Sequence, residues 1–496
     1  MQKDIIINVS EYETRLAILE DSKLVELLVE GPESERMVGD IYKGVAKDVL
    51  PGMQAAFVDI GLEKNAFLHV SDIGLAFEAK TRHRQERIEN VVKKDQEILV
   101  QVVKEPMGTK GPRVTSELSI PGRYLVLVPE GKEVRVSRKI VNRSEKRRLK
   151  DLAAQLRPKD CGLIVRTVAE GKTDRELKSD IRDLFRLWDK IKKQAQKRKA
   201  PFLVHKELEM TSSIMRDLLT PEITNVIVDS KKEHHDIISY LRSVAPNLRS
   251  KVRLYQDKVP LFDIYNVESE IDKMLDRRVW IKKGAYIVID QTEAMVTIDV
   301  NSGRYVGKSD QEATILKVNL DAAKEIARQI RLRDIGGLIV LDFIDMESRE
   351  NRRKLYEEFK KAMRNDRSKN SILPVNEFGL IEMTREKIRP SLMHAFSEPC
   401  PTCRGIGRVL SVETLATRIE RWFSRAKLVS PVRKYKIAAN PQLYALLSNG
   451  KDSRIKKLGR QFKLDIEIVE DKSLPVEKYR MFSPEENLEV TDLYRT

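Results

Sequence analysis

A strand–helix–strand pattern between residues 296 and 342 constrains the fold of this chain more than any other feature. Asp299 lies in the run Val296–Arg304, and Asp342 ends the apolar run Leu338–Asp342. Between these runs, residues 311–333 place apolar side chains at helical spacing. Two strands joined by one helix form a βαβ unit, so we expect the strands to be parallel neighbours.

Each of the two aspartates lies at the carboxyl end of its predicted strand, where open α/β sheets place their functional groups. Asn301 follows Asp299 by two residues, so both side chains point to one face if the strand continues that far. Two carboxylates and one amide at a sheet edge supply the oxygen ligands that Mg²⁺ prefers. On spacing alone, a purely structural role for the aspartates stays open.

The charge of the chain favours a polyanionic partner. Among 496 residues, 92 are Lys or Arg and 76 are Asp or Glu, which gives a formal net charge of +16. Such a surplus indicates nucleic acid before a membrane surface. The sequence has no apolar run long enough to span a bilayer and no signal peptide. Three cysteines argue against a disulfide framework and predict a reducing, cytoplasmic location.

The remaining segments differ in pattern, which predicts a multidomain α/β and α+β protein. Residues 1–35 alternate like strands but are too few to bury a core, so we expect them to pair with a sheet within 205–278. Short strands in 36–118 indicate a small β-barrel. The other predicted segments are 119–204, 279–399, a link at 400–412 and a small α/β domain at 413–496.

One long helix is predicted from about Thr173 to Lys199. Thr173 and Glu176 have the spacing of a capping box at its start. Its other end is strongly basic. Two explanations of this charge stay open, a favourable interaction with the helix dipole and a contact with RNA.

Three segments carry a resemblance to one enzyme family. They are Thr297–Arg304, Ile326–Met346 and Cys400–Gly407, and through them the chain resembles the bacterial ribonuclease E/G family. The resemblance implies a DNase I-like catalytic sheet at 279–399, an OB-fold RNA-binding barrel at 36–118 and an RNase H-like domain from 1–35 and 205–278. It also implies that Asp299 and Asp342 hold a catalytic Mg²⁺ and that Asn301 contacts the scissile phosphate.

The family resemblance implies an endoribonuclease of rRNA maturation and mRNA decay. It would hydrolyse single-stranded RNA to 5′-monophosphate and 3′-hydroxyl ends and be stimulated by a 5′-monophosphate. The chain ends at Thr496 without the long Arg- and Pro-rich extension of some relatives, so it resembles the short form of the family. Two alternatives stay open, a non-catalytic RNA-binding protein and a DNA nuclease.

The predicted barrel contains Phe57 and Phe67 on neighbouring strands and Lys110 in a glycine-containing loop. Exposed aromatic rings above a basic groove bind single-stranded nucleic acid by stacking on its bases. Buried core positions are the alternative for both phenylalanines. The resemblance favours stacking, and it implies that Lys110 contacts RNA.

The resemblance also places a pocket for the RNA 5′-monophosphate in residues 119–204. Arg166 and Thr167 would contact the phosphate, because a guanidinium and a hydroxyl suit its extra charge and oxygens. The wall of the pocket would be formed by Gly122, Val126 and Arg138.

Lys369 stands where relatives of this family can have arginine. A lysine keeps the positive charge but lacks the bidentate geometry of a guanidinium. The resemblance therefore gives Lys369 no definite role in the phosphate pocket.

Cys400 and Cys403 form half of a tetrahedral zinc site, which needs four thiolate or imidazole ligands. The third cysteine, Cys161, falls in a different predicted domain. We therefore expect two chains to share one structural Zn²⁺, as the family does, which predicts a homodimer and, by analogy alone, a tetramer. The alternative is a redox pair, which usually accompanies a thioredoxin-like pattern; the sequence reading finds no such pattern.

Overall fold

The computed structural model describes residues 2–31, 37–73, 87–106, 110–207, 211, 213, 215–216, 223–303, 311–387, 391–403, 405–450, 453–485 and 488–494. Strands and helices are numbered along these described residues. The chain forms two compact units, Met1–Ala395 and Phe396–Thr496, each described here by itself. No helix in the described ranges is long and apolar enough to cross a lipid bilayer.

The first sheet combines the N-terminal strands with strands that lie some 220 residues later. It contains β1 (Lys3–Val9), β2 (Thr14–Glu20), β3 (Lys23–Glu30), β14 (Ile223–Val228) and β15 (Val252–Leu254). Their order is β15-β14-β1-β2-β3, with β1 parallel to β14 and antiparallel to β2. The expected pairing of the N-terminal strands with a later sheet is confirmed.

Helices accompany the two later strands of the first sheet. The helix α4 (Lys231–Val244) connects β14 to β15, and its side chains Ile237 and Leu241 are buried against the sheet. The short helices α5 (Leu261–Ile264) and α6 (Val267–Leu275) follow.

The second sheet closes into a barrel. Its strands are β4 (Ile41–Leu50), β5 (Ala55–Asp59), β6 (Ala66–His69), β7 (Glu97–Lys104) and β8 (Arg113–Thr115), with the one-turn helix α1 (Ile88–Val91). The order β4-β5-β6-β8-β7 returns to β4 through a β4–β7 pairing, so these five strands form a closed barrel. A later strand, β13 (Phe202–His205), adds to β4 outside it.

The third sheet belongs to residues 119–204. Its strands are β9 (Ile120–Pro121), β10 (Leu125–Pro129), β11 (Val134–Val136) and β12 (Cys161–Val165), in the order β11-β12-β10-β9. The helices α2 (Arg143–Leu156) and α3 (Asp174–Lys197) share a buried core with this sheet. The capping box of Thr173 and Glu176 is present at the start of α3, as predicted.

The fourth sheet contains the two candidate aspartates. Its strands are β16 (Arg278–Trp280), β17 (Tyr286–Gln291), β18 (Met295–Asn301), β19 (Gly337–Asp342), β20 (Asn370–Ile372) and β21 (Leu380–Arg385), in the order β16-β17-β18-β19-β21-β20. The helix α7 (Gln311–Leu332) connects β18 to its parallel neighbour β19, so the predicted βαβ unit is confirmed. The helices α8 (Arg349–Ala362) and α9 (Leu392–Phe396) follow.

The two faces of the fourth sheet differ in exposure. Successive side chains of β18 alternate between buried residues such as Ile298 and exposed or half-buried ones such as Asp299. The buried face packs with α7 and α8, because Ile326 and Phe359 belong to the same core as Ile298. Both aspartates therefore lie on the face away from the helices.

Buried ion pairs join α7 to the first sheet. Arg331 is only 7% exposed, and its guanidinium contacts Glu20 at 3.0 Å and Glu26 at 3.2 Å. One turn earlier, Arg328 donates to the backbone oxygen of Leu24 at 2.9 Å. A buried charge is costly without a partner, so these contacts fix the position of α7 on the first sheet.

The second unit is a small α/β domain. It contains α10 (Val412–Val429), β22 (Lys434–Ala439), α11 (Pro441–Ser448), α12 (Arg454–Phe462), β23 (Asp465–Glu470), β24 (Tyr479–Ser483) and β25 (Leu488–Glu489). The sheet order is β23-β22-β24-β25, and β22 is parallel to β23. Trp422 on α10 is 1% exposed and lies at the centre of this core.

Candidate active site

Asp299 and Asp342 are directly paired neighbours on the two parallel strands of the βαβ unit. Both side chains are exposed. Asn301 is the last residue of β18, and its Nδ2 donates to Oδ2 of Asp299 at 2.7 Å. The sheet thus brings the three predicted catalytic residues to one edge and one face.

The carboxylates of Asp299, Asp342 and Asp345 make this edge negatively charged. Burial raises the pKa of the Asp342 carboxyl, and the charges of Asp299 and Asp345 raise it further. Carboxylates gathered in this way favour a bound cation, because a cation lowers their mutual repulsion. Asp345 lies three residues beyond Asp342, in the loop that follows β19, and is exposed.

The donor set at this edge fits Mg²⁺. This ion is usually held by one or two carboxylates and completes its octahedron with water and substrate phosphate oxygens. Within the described ranges, no group of three or more His, Cys, Asp or Glu is arranged to hold a metal ion. Arg304, beside this motif, lies outside the described residues.

Gly303 fixes the loop that follows Asn301. Its φ of +58° lies in the left-handed region, and a Cβ there would collide with the carbonyl oxygen of Gly284. The same Cβ would lie 3.6 Å from Cδ1 of Tyr286. Glycine at this position lets the end of β18 pack closely against the start of β17.

Phe57 and Phe67 lie on the outer surface of the barrel. They are directly opposed on β5 and β6, and both are half-buried, whereas their neighbours Ala56, Val58 and Leu68 are fully buried. The two ring centroids are 5.9 Å apart in an edge-to-face arrangement. Because strand side chains alternate, these rings point away from the barrel core.

A basic residue, Arg113, lies beside Phe67 on the barrel. Arg113 on β8 pairs with Phe67, and Lys110 is exposed. A Cβ on Gly111 would collide with the carbonyl oxygen of Asn65, so the end of this loop lies against the residue before β6. Residues 107–109 of the loop lie outside the described residues.

The predicted 5′-phosphate residues meet at one end of the third sheet. Arg166 Nη1 donates to the backbone oxygen of Gly122 at 2.7 Å, and the hydroxyl oxygens of Thr167 and Ser137 are 2.8 Å apart. Val126 on β10 is half-buried and pairs with β12, which ends just before Arg166.

Arg138 is exposed one residue beyond Ser137 in the predicted pocket. The next residue, Lys139, donates to the backbone oxygen of Asp366 at 3.3 Å. Lys369, three residues after Asp366, is exposed. The pocket region is therefore in contact with the residues that precede β20 within the first unit.

Asp180 organises the predicted phosphate pocket and was missed by the sequence reading. Its carboxylate accepts hydrogen bonds from the backbone N–H groups of Arg123, Tyr124 and Leu125 at 2.8–3.0 Å. A Cβ on Gly122 would lie 2.7 Å from the same carboxylate. Burial raises the pKa of Asp180, and the three N–H donors oppose that rise. No local pattern marks this aspartate, because it acts on a strand more than 50 residues away.

Cys400 and Cys403 lie at the start of the second unit, with Cys400 exposed and Cys403 half-buried. Hydrogen bonds from the backbone of Cys403 and Thr402 lower the pKa of the Cys400 thiol. A stabilised thiolate suits a zinc ligand, and two thiols supply half of a tetrahedral site. Cys161 is buried in β12 of the first unit.

Comparison with protein families agrees with this fold. The Ribonuclease E/G family model matches residues 119–388, and the S1 RNA binding domain model matches residues 35–115, which form the barrel. The chain belongs to the ribonuclease E/G family: it is an endoribonuclease that carries an S1 RNA-binding domain.

Within the family, the chain is similar to ribonuclease G, the short form. Ribonuclease G of Escherichia coli strain K12 is 38% identical over 476 residues, covering 94% of this chain and 97% of that protein. Ribonuclease G of Haemophilus influenzae is 39% identical over 451 residues, covering 90% of this chain and 92% of that protein. Ribonuclease E of Haemophilus influenzae is 35% identical over 495 residues, covering 99% of this chain but 53% of that protein.

The expectation that no thioredoxin-like pattern accompanies Cys400 and Cys403 is wrong. The RNase E/G thioredoxin-like domain model matches residues 399–485, so the cysteines do accompany a thioredoxin-like domain. The pattern was missed because two helices, α11 and α12, separate the parallel strands β22 and β23. Cys400 and Cys403 nevertheless precede every described strand of the second unit, so they do not lie between a strand and a helix of its sheet.

Proposed function

We propose that this endoribonuclease hydrolyses single-stranded RNA with the help of Mg²⁺ held by Asp299 and Asp342. The products are a 3′-hydroxyl on one fragment and a 5′-monophosphate on the other. The observation that carries this proposal is the direct pairing of the two aspartates on parallel strands, with Asn301 hydrogen-bonded beside them.

The residues of the site have separate tasks in this reaction. When bound, Mg²⁺ makes its water more acidic and neutralises charge on the phosphate. Asp299 orients Asn301 by accepting one of its amide hydrogens, which leaves the other hydrogen for a non-bridging phosphate oxygen. The water loses one proton as its oxygen forms a bond to phosphorus, and the bond from phosphorus to the 3′-oxygen breaks. The departing 3′-oxygen takes up a proton.

The proposed function is tested with a short single-stranded RNA labelled at its 5′ end. Internal cutting in Mg²⁺ and none in EDTA supports the proposal, and end mapping must find 3′-hydroxyl and 5′-phosphate groups. Cutting that continues unchanged in EDTA contradicts the role of the metal. Binding without cutting would favour the non-catalytic alternative.

We also propose that Arg166 and Thr167 bind the 5′-monophosphate of the RNA, with Gly122, Val126 and Arg138 around it. Support comes from the hydrogen bond that fixes Arg166 to Gly122. A terminal phosphate offers more charge and more oxygens than an internal one, so it gains more from a guanidinium.

Replacing Thr167 with valine tests this pocket. We expect the rate advantage of 5′-monophosphate over 5′-hydroxyl RNA to fall by about tenfold or more, because one hydrogen bond to a charged group is lost, worth about 1.5–3 kcal/mol. Cleavage of 5′-hydroxyl RNA should not change. The control is Arg135→Gln, an exposed change on β11 of the same sheet. An unchanged rate advantage in Thr167→Val would contradict the proposed pocket.

We propose that Cys400 and Cys403 of two chains share one structural Zn²⁺ and so hold a homodimer. The position of both cysteines outside the sheet supports a ligand role over a redox role. A tetramer is an extension of this proposal by analogy with the family.

Changing both Cys400 and Cys403 to serine should yield a zinc-free monomer, because serine does not replace a thiolate ligand. Mass by light scattering and zinc content by elemental analysis measure this. Cys161→Ala, at a buried site in the first unit, should keep both zinc and the dimer. A dimer that persists without zinc would contradict the shared site.

The described topology supports two finer fold proposals. The order β15-β14-β1-β2-β3, with β1 parallel to β14, supports an RNase H-like first domain. The six-stranded mixed sheet with its exposed carboxylates supports a DNase I-like catalytic domain. The roles in rRNA maturation and mRNA decay, and the cytoplasmic location, remain predictions from the sequence.

A further inference from the structure

A row of side chains leads from the candidate active site to the edge of the fourth sheet. Asn301 on β18 pairs with Tyr286 on β17, and Tyr286 pairs with Trp280 on the edge strand β16. Directly opposed residues of antiparallel strands point to the same face. The two aromatic residues therefore share the exposed face of Asp299 and Asn301.

The rings of Trp280 and Tyr286 form an exposed pair, which we call the aromatic shelf. Their centroids are 5.3 Å apart, with an interplanar angle of 61°. Trp280 is 63% exposed, whereas the two other tryptophans, Trp188 and Trp422, are 7% and 1% exposed. A tryptophan side chain with this exposure is unusual, because tryptophan side chains are highly buried on average.

A cation completes the shelf. The guanidinium of Arg278 lies 4.5 Å from the centroid of Tyr286 and 5.8 Å from that of Trp280. No ion pair of Arg278 with a carboxylate is found among the described residues. A guanidinium held over rings keeps its N–H donors for another acceptor. Lys282, two residues after Trp280, is also exposed.

We propose that the aromatic shelf binds an unpaired base of the RNA next to the scissile phosphate, and that Arg278 contacts the neighbouring backbone phosphate. This inference rests on the proposed function, because it places the scissile phosphate at Asn301. Trp280 lies two strand spacings, about 10 Å, from Asn301, which is within reach of an adjacent nucleotide. An aromatic face for a base beside a cation for its phosphate is the usual combination in single-strand binding.

The charge and position of the shelf favour RNA over a protein partner. The shelf continues directly into the catalytic row through Tyr286 and Asn301. Gly303 is also close to this ring, since a Cβ built on it would lie 3.6 Å from Cδ1 of Tyr286, so the end of β18 and the shelf are adjacent. The formal net charge of +16 further favours a polyanion.

Intrinsic fluorescence of the full chain tests the shelf without requiring cleavage. In EDTA, we expect a short 5′-hydroxyl RNA to quench the emission of the exposed Trp280, with the two buried tryptophans unaffected. Trp280→Phe should remove this quenching and keep most of the affinity, because phenylalanine still stacks. Trp280→Ala should weaken binding about tenfold. Tyr12→Ala, which removes an aromatic residue 74% exposed in another part of the first unit, is the control.

A scan of abasic positions locates the stacked base. An abasic nucleotide beside the cleavage site should weaken binding to the unaltered protein but not to Trp280→Ala. With Mg²⁺, Trp280→Ala should raise KM and leave kcat nearly unchanged, because the shelf binds substrate and transition state alike.

The outcomes separate the shelf from the proposed function. RNA that quenches Trp280 but is never cut keeps the shelf and overturns the proposed hydrolysis. RNA that is cut normally without quenching, and with unchanged affinity in Trp280→Ala, overturns the shelf alone.

Discussion

Replacing Asp342 with asparagine is expected to abolish Mg²⁺-dependent cleavage, lowering the single-turnover rate by about 10³-fold or more. The amide keeps the shape of the side chain but removes a negative charge that would hold the metal. Charge stabilisation by a catalytic metal is worth several kcal/mol, and about 1.4 kcal/mol changes a rate tenfold. Quenched-flow cleavage of labelled RNA measures the rate, and anisotropy in EDTA should find RNA affinity largely unchanged.

The matched control for this change is Asp345→Asn. This residue lies three positions later and contributes to the same negative field, but it is not paired with Asp299 across the strands. We expect its rate to stay near that of the unaltered protein. The melting temperature of Asp342→Asn should not fall, because the neutral amide relieves repulsion with Asp299. Cleavage by Asp342→Asn at the unaltered rate would remove Asp342 from the proposed active site.

Replacing Phe57 and Phe67 together with alanine is expected to weaken single-stranded RNA binding by at least about tenfold. Stacking contributes about 1–3 kcal/mol per base, and the two rings are half-buried on the barrel surface. The melting temperature should change little, because neither ring belongs to the barrel core. Anisotropy titration and calorimetry measure the two quantities.

The corresponding double change to tyrosine separates stacking from folding. Tyrosine keeps an aromatic face at both positions, so we expect it to retain most of the affinity. If the double alanine variant lost as much melting temperature as a core substitution does, Phe57 and Phe67 would be ordinary core residues.

The βαβ unit and its aspartates were predictable because their signals are local. The helix between them was predicted at 311–333 and is found at Gln311–Leu332. Each aspartate lies near the carboxyl end of an apolar strand, and Asn301 is the last residue of β18. Patterns of this kind depend only on residues that are close in the chain.

The positions that depended on distant contacts were not predictable. The sequence left two environments open for Phe57 and Phe67, and the β4–β7 pairing that closes the barrel decides between them. Asp180 acts on Gly122 and its neighbours across a helix-to-strand contact. Trp280 is close to β17 in the chain, and it joins the active-site face through the register in which β16 and β17 pair. Strand register over long separations has no local signature.

The pairing of β13 with β4 has a consequence for the order in which the chain folds during synthesis. The apolar strands β1–β3 emerge before β14, the partner of β1, which follows roughly 190 residues after β3. Leu203 on β13 pairs with Tyr42 on β4. Once the segment between β4 and β13 has folded, its two ends are therefore neighbours in one sheet. This shortens the effective loop between β3 and β14 and lowers the entropic cost of closing it by about 1–2 kcal/mol. The barrel and the third sheet, which lie between β3 and β14 in the chain, thereby bring β14 close to β1.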